Sequence, residues 1–274
     1  MPPFFLFSKF AFPDHLYRMQ FIDSHTHLYL SEFDDDRDEI ISRALNADVI
    51  KMLLPNIDTD SITPLLRMVN NYPGICYPMI GIHPTSIKDD CREQLEAANG
   101  RLGKHKFIAI GEIGIDLYWD KTYIREQEFA FAEQLKIAAR ENLPVVIHSR
   151  NSLKEILTLI DNSGLKNIRG VFHAFTGSIE EAHEIINRGF LLGIGGILTF
   201  KNSGLVRTIE SIDLENIILE TDSPFLAPVP KRGKRNESSY IQFIAEKLGE
   251  VKNLPVDAIA RITTSNCINL FGLE

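Results

Sequence analysis

Along this chain, short apolar runs alternate with longer stretches in which apolar residues recur at helical spacing. The runs cover residues 21–25, 49–54, 75–82, 107–115, 145–148, 170–173, 190–194 and 216–220. They are bounded by Gly, Pro or polar positions and predict eight strands. The stretches between them predict helices. Acidic residues from Glu32 to Glu39 open an amphipathic pattern that continues to Leu45, where negative charge opposes the helix dipole. Residues 60–71 place Ile62, Leu65, Leu66 and Val69 on one side, and a polar helix reaches Leu102. Residues 121–141 carry Phe129, Phe131, Ala132, Leu135 and Ala139 at near-helical intervals. Helices near 239–248 and 256–270 end the chain.

Strand and helix in alternation predict parallel strands joined by crossover helices. Eight such units can close into an α/β (β/α)8 TIM-type barrel. The competing architecture, an open doubly wound sheet, would show fewer strands and a Gly-rich phosphate loop, and none follows the first run. A length of 274 residues suits one barrel, and no linker or repeat divides it. The expected domain is 19–274. Residues 1–18 read as an extension outside the fold, without a basic leader segment or cleavage site. Met19, just ahead of the first strand, offers an alternative start of translation. No stretch is expected to cross a membrane.

A net charge of -8 argues against a generally basic, nucleic-acid-binding surface. A polyanionic substrate would need a local positive site or metal ions. Cys76, Cys91 and Cys267 form no CxxC pair and read as buried thiols, which places the protein in a reducing compartment, the cytoplasm.

The chemistry gathers where the strands end. His25 and His27 alternate in an extended segment and share one face. Glu112 lies near the end of the fourth run, His148 and His173 end the fifth and sixth, and Asp222 follows the eighth. Any one of them alone fits a hydrogen-bonded rim histidine, a salt bridge or a turn residue. Together they occupy the end of a barrel where functional groups collect, and charge there needs a partner or a metal. Four histidines and two carboxylates exceed the needs of one tetrahedral ion. They predict two divalent ions with Glu112 bridging. Nitrogen and oxygen ligands without thiolate admit Zn, Mn, Mg, Co or Ni. Asp222 is the candidate to orient the attacking water or take its proton. His83 is expected to face substrate rather than ligate, and His15, His105 and His183 to stand apart. Arg150, Lys201, Arg235 and Asn236 are the candidate phosphate contacts.

The ordered segments FIDSHTH, GIHP, GEIGID, VVIHSR, HAFTG, GGILTF, LETDSP and RGKRNE, from Phe21 to Glu237, resemble the TatD family of metal-dependent deoxyribonucleases within the amidohydrolase superfamily. The resemblance implies a distorted (β/α)8 barrel with His25, His27, Glu112, His148, His173 and Asp222 as ligands. It also implies a hydrolase that cleaves DNA phosphodiesters by a metal-activated hydroxide, trimming single-stranded or damaged ends. Ala174, Thr85 and Ser238 depart from the usual pattern, where cysteine, histidine and proline are common. The alternatives are hydrolysis of another phosphoester or of a cyclic amide, or metal binding without catalysis. Many cyclic amidohydrolases bridge their metals with a carboxylated lysine, and here that place holds Glu112. No obligate protein partner is expected.

Overall fold

The computed structural model of the protein describes residues 19–274; the expected extension, 1–18, lies outside the described residues. Among the described residues are eight strands: β1 (Phe21–Asp23), β2 (Val49–Leu54), β3 (Cys76–Pro78), β4 (Ile110–Asp116), β5 (Val145–Arg150), β6 (Gly170–Phe172), β7 (Phe190–Ile194) and β8 (Ile217–Leu219). All pair in parallel, in the orders β1-β2-β3 and β4-β5-β6-β7-β8. Two thin seams join these groups. Ile80 bridges to Ile110, with Gly111 N donating to Ile80 O at 2.9 Å. Thr26 bridges to Ser223, and Ser24 N donates to Leu219 O at 3.1 Å. Asp23 strengthens the second seam, accepting from Thr221 N at 2.9 Å and Thr221 Oγ1 at 2.6 Å. The strands thus form a distorted barrel rather than an open sheet.

The helices are α1 (Arg37–Asn46), α2 (Ile62–Asn71), α3 (Cys91–Asn99), α4 (Ile124–Glu141), α5 (Leu153–Asn162), α6 (Ile179–Ile186), α7 (Leu205–Glu210), α8 (Ile241–Lys252) and α9 (Val256–Phe271). Helix α1 begins later than the acidic stretch predicts, because Glu32 sits in a separate 3₁₀ turn, Ser31–Phe33. Among the described residues no helix is long and apolar enough to cross a membrane.

Period-two alternation divides the apolar side chains into two cores. Ile22, Leu53, Met79, Ala109, Val146, Val171 and Ile218 fill the barrel interior with the end of α9, including Cys267 and Phe271. Their neighbours, such as Met52, Ile147, Phe172 and Leu219, pack in the larger core that includes helical residues. Strands β1 and β3 stop short of their predicted ends at 25 and 82, although isolated bridges at Thr26 and Ile80 carry the pairing beyond them.

Candidate metal centre

The same alternation carries polar groups to the mouth. His148 follows Val146 by two positions and His173 follows Val171 by two, so each continues an interior-facing row. Glu112 stands at the middle of the cluster. Its Oε1 faces His173 Nε2 at 2.8 Å, His148 Nδ1 at 3.0 Å and His83 Nε2 at 3.2 Å. Its Oε2 faces His25 Nε2 at 3.1 Å and His27 Nε2 at 3.8 Å. Asp222 Oδ1 joins the second group, 3.5 Å from His27 Nε2 and 3.7 Å from His25 Nε2. Ligand atoms within 4.8 Å of one another form three sets: His25–His27–Asp222, His25–Glu112–His173 and His83–Glu112–His148. All six expected ligands are therefore brought together. His83, expected to face substrate, stands among them.

The donor set fits divalent metal. Tyr29 Oη donates to Pro55 O at 2.7 Å, so its oxygen accepts from His27 Nδ1 at 3.0 Å. That tautomer turns the Nε2 lone pair of His27 toward His25 Nε2, only 3.2 Å away. His148 likewise donates from Nε2 to Asp116 Oδ2 at 2.9 Å, leaving Nδ1 to face Glu112. Lone pairs aimed at one another and at carboxylate oxygens repel unless a proton or a metal ion lies between them.

Three supporting residues escaped the sequence reading. Tyr29 and Asp116 orient His27 and His148. Glu220 Oε1 lies 3.5 Å from His173 Nδ1 and accepts from Ala174 N at 2.5 Å. Glycine at 193 makes room for Glu220, since a Cβ there would meet Glu220 Oε2 at 2.3 Å. Carboxylates behind ligating imidazoles raise their basicity and fix their orientation. Glu220 was legible in principle, because it follows interior-facing Ile218 by two positions.

Electrostatics couple these groups. Burial opposes charge on His148, but hydrogen bonds to Asp116 and Glu112 outweigh it and push its pKa up. Burial also opposes charge on His173, and Glu112 and Glu220 push it well up. Glu112 is held well below the usual carboxylate range, because the histidines around it overcome its burial. Protons held by His148 and His173 compete with a metal. A raised imidazole pKa keeps the proton on at higher pH, so metal affinity falls as pH falls, beginning above the ordinary value of 6.5. Binding of Mn or Zn at about pH 7 is expected to release protons, measurable by calorimetry in buffers of different ionisation enthalpy. An affinity constant between about pH 6 and pH 8 would contradict this coupling.

The expected phosphate contacts divide. Arg150 is exposed at the end of β5, its guanidinium 4.2 Å from the Tyr118 ring centre and 5.3 Å from that of Trp119. Lys201 is exposed in the loop after β7. Two of them have partners within the fold. Arg235 is committed to Asp36, at 2.6 Å, and to the Glu32 carbonyl. Asn236 is fully buried; its Nδ2 donates to Thr221 O at 2.7 Å and Phe225 O at 2.6 Å, pinning the loop after β8 instead of reaching substrate.

The family model described as TatD related DNase matches residues 22–272. The chain is 37% identical to YabD of Bacillus subtilis (strain 168), named an uncharacterized metal-dependent hydrolase, over 92% of this chain and 99% of that protein. It is 31% identical to a protein of Escherichia fergusonii named 3'-5' ssDNA/RNA exonuclease TatD, over 92% of this chain and 99% of that one. The solved structure of YjjV, a TatD homologue from Escherichia coli K12, superposes with a TM-score of 0.88 at 29% identity, covering 93% of this chain and 99% of that chain.

Proposed function

The chain belongs to the TatD related DNase family of metal-dependent hydrolases, and from that premise we propose that it hydrolyses phosphodiester bonds of DNA at single-stranded or damaged ends. The observation that carries this is the position of Glu112. Its two carboxylate oxygens address two separate groups of nitrogens, so Glu112 would hold metal in common with both groups. When bound, such ions stabilise negative charge on a phosphoryl group and make water nucleophilic at neutral pH.

The chain's own residues do the rest. Asp222 accepts the proton of the attacking water and orients it. Burial works against its charge, but the nearby histidines keep its pKa low, so the acceptor is ionised at neutral pH. Tyr29, Asp116 and Glu220 hold the imidazoles in register. Arg150 and Lys201 supply positive charge for phosphate oxygens beyond the reacting one. Free, buried Cys76, Cys91 and Cys267 suit action in the reducing cytoplasm.

The test incubates metal-loaded and chelated protein with end-labelled single-stranded and duplex DNA, a simple phosphodiester and a cyclic amide. Release of nucleotides from DNA ends, lost on chelation and restored by Mn, Mg, Zn, Co or Ni, is the expected result. Amide turnover without DNA cleavage would assign the site to amidohydrolysis. Metal binding without turnover of any substrate would make the chain a binding protein.

A further inference from the structure

A cleft of about 250 Å³ opens beside the metal centre, between the 3₁₀ turn after β3 and the chain joining β4 to α4. Thr85, Ile87 and Lys88 line one wall, and Trp119, Asp120 and Tyr123 the other. Both walls are tied to the half of the centre around Glu112 Oε1. Thr85 N donates to His83 Nδ1 at 3.1 Å, and His83 Nε2 lies 3.2 Å from Glu112. Trp119 N donates to Asp116 Oδ1 at 3.1 Å, and the other oxygen of Asp116 holds His148. Gln127, at the base of the second wall, accepts from Asp116 N at 2.9 Å. The cleft is thus fixed in position relative to the ligand set.

Its chemistry is specific. Trp119 is 68% exposed and Tyr118 52%, although large rings normally gain their stability by burial. Exposed rings beside cations form the stacking platforms on which single-stranded nucleic acid rests. Lys88 in the cleft and Arg150 over the rings supply the cations. Asp120 offers an acceptor for the amino edge of a base. The volume falls below the roughly 300–1,000 Å³ of clefts that enclose drug-sized ligands, so it suits one flat heterocycle.

We propose that this cleft is a nucleobase subsite, which takes the base of the nucleotide whose phosphate engages the metal centre and stacks it on Trp119. The proposal rests on the phosphodiester reading and gives it a specificity element: substrates carrying bases bind better than bare phosphodiesters.

Trp119 is the only tryptophan of the chain, so intrinsic fluorescence reports this position alone. Magnesium-loaded protein is titrated with dAMP and, separately, with deoxyribose 5-phosphate, which carries the same phosphate without a base. Saturable quenching by dAMP, absent with the sugar phosphate, is expected. In parallel, Trp119→Ala raises KM for a single-stranded oligonucleotide by about tenfold with kcat nearly unchanged, and Trp119→Phe restores most of the loss. A response independent of the base, together with DNA cleavage at unchanged KM in Trp119→Ala, overturns the subsite and leaves the phosphodiester reading standing. If the wild-type protein cleaves no DNA, that reading fails, and base-dependent quenching alone then decides the subsite.

Discussion

Glu112→Gln is expected to remove DNA cleavage and to reduce bound metal from two equivalents to one or fewer, in a barrel that stays folded. The substitution keeps the shape of the side chain but replaces one oxygen with an NH2 group. That group can only donate, so one half of the centre loses its acceptor. Either His83, His148 and His173 then face a donor, or His25 and His27 do. The negative charge that compensates the surrounding imidazoles is lost as well, which leaves Asp116 alone to favour protonation of His148 and Glu220 that of His173. The fold does not depend on this carboxylate. Glu112 is held through its backbone, with Glu112 N donating to Asn56 O at 3.0 Å and Asn56 N to Gly111 O at 3.1 Å. Activity should fall on the order of a hundred- to a thousandfold, the scale seen when a preorganised electrostatic group is removed. Metal analysis, circular dichroism and end-labelled DNA cleavage measure the three parts. Two retained ions with activity near wild type would show that Glu112 does not bridge.

Why the ligands were legible in the sequence and other residues were not follows from how each is placed. A strand repeats every two residues, so an apolar row on one face fixes where the next polar residue points. Val146 to His148 and Val171 to His173 are such steps, and they can be read without a structure. Ile218 to Glu220 is another such step. Tyr29 lies past the end of its strand, and its role depends on Pro55, just past the end of the next strand. Nothing in local sequence reports that pairing. The partners of Arg235 and Asn236 were hidden for a related reason. A basic loop reads as free charge, yet Asp36, far away in the chain, takes up Arg235, while the backbone of the loop itself consumes Asn236. Asp36, just ahead of α1, also receives Arg43, while Asp38 and Glu39 lie in the first turn of the helix. Barrel closure was equally hidden, because the bridges at Ile80 and Thr26 and the hydrogen bonds that flank them join residues far apart in the chain, which no periodicity encodes.

Asp222→Asn should separate proton transfer from metal assembly. Asp222 sits at φ 56°, in the left-handed region that Asn tolerates as readily as Asp, so the backbone survives the change. Its amide still donates to His25 O, at 2.9 Å in the wild type, which keeps β1 and the loop after β8 together. The side chain is 14% exposed against 3% for Glu112, so it is the carboxylate of the centre most open to water arriving from the mouth. An amide there keeps an oxygen for a metal or a water but cannot take a proton. We expect kcat to fall about 10²–10⁴-fold, the range contributed by a positioned general base, with KM little changed. Metal content should fall less than in Glu112→Gln, because Glu112, His25 and His27 remain on that side of the centre. The pH–rate profile adds a second readout. In the wild type, activity declines on the acid side as Asp222 and the histidines take up protons, whereas in Asp222→Asn the component due to the carboxylate disappears. A kcat within tenfold of wild type at unchanged metal content would remove Asp222 from proton transfer and leave it only a ligand.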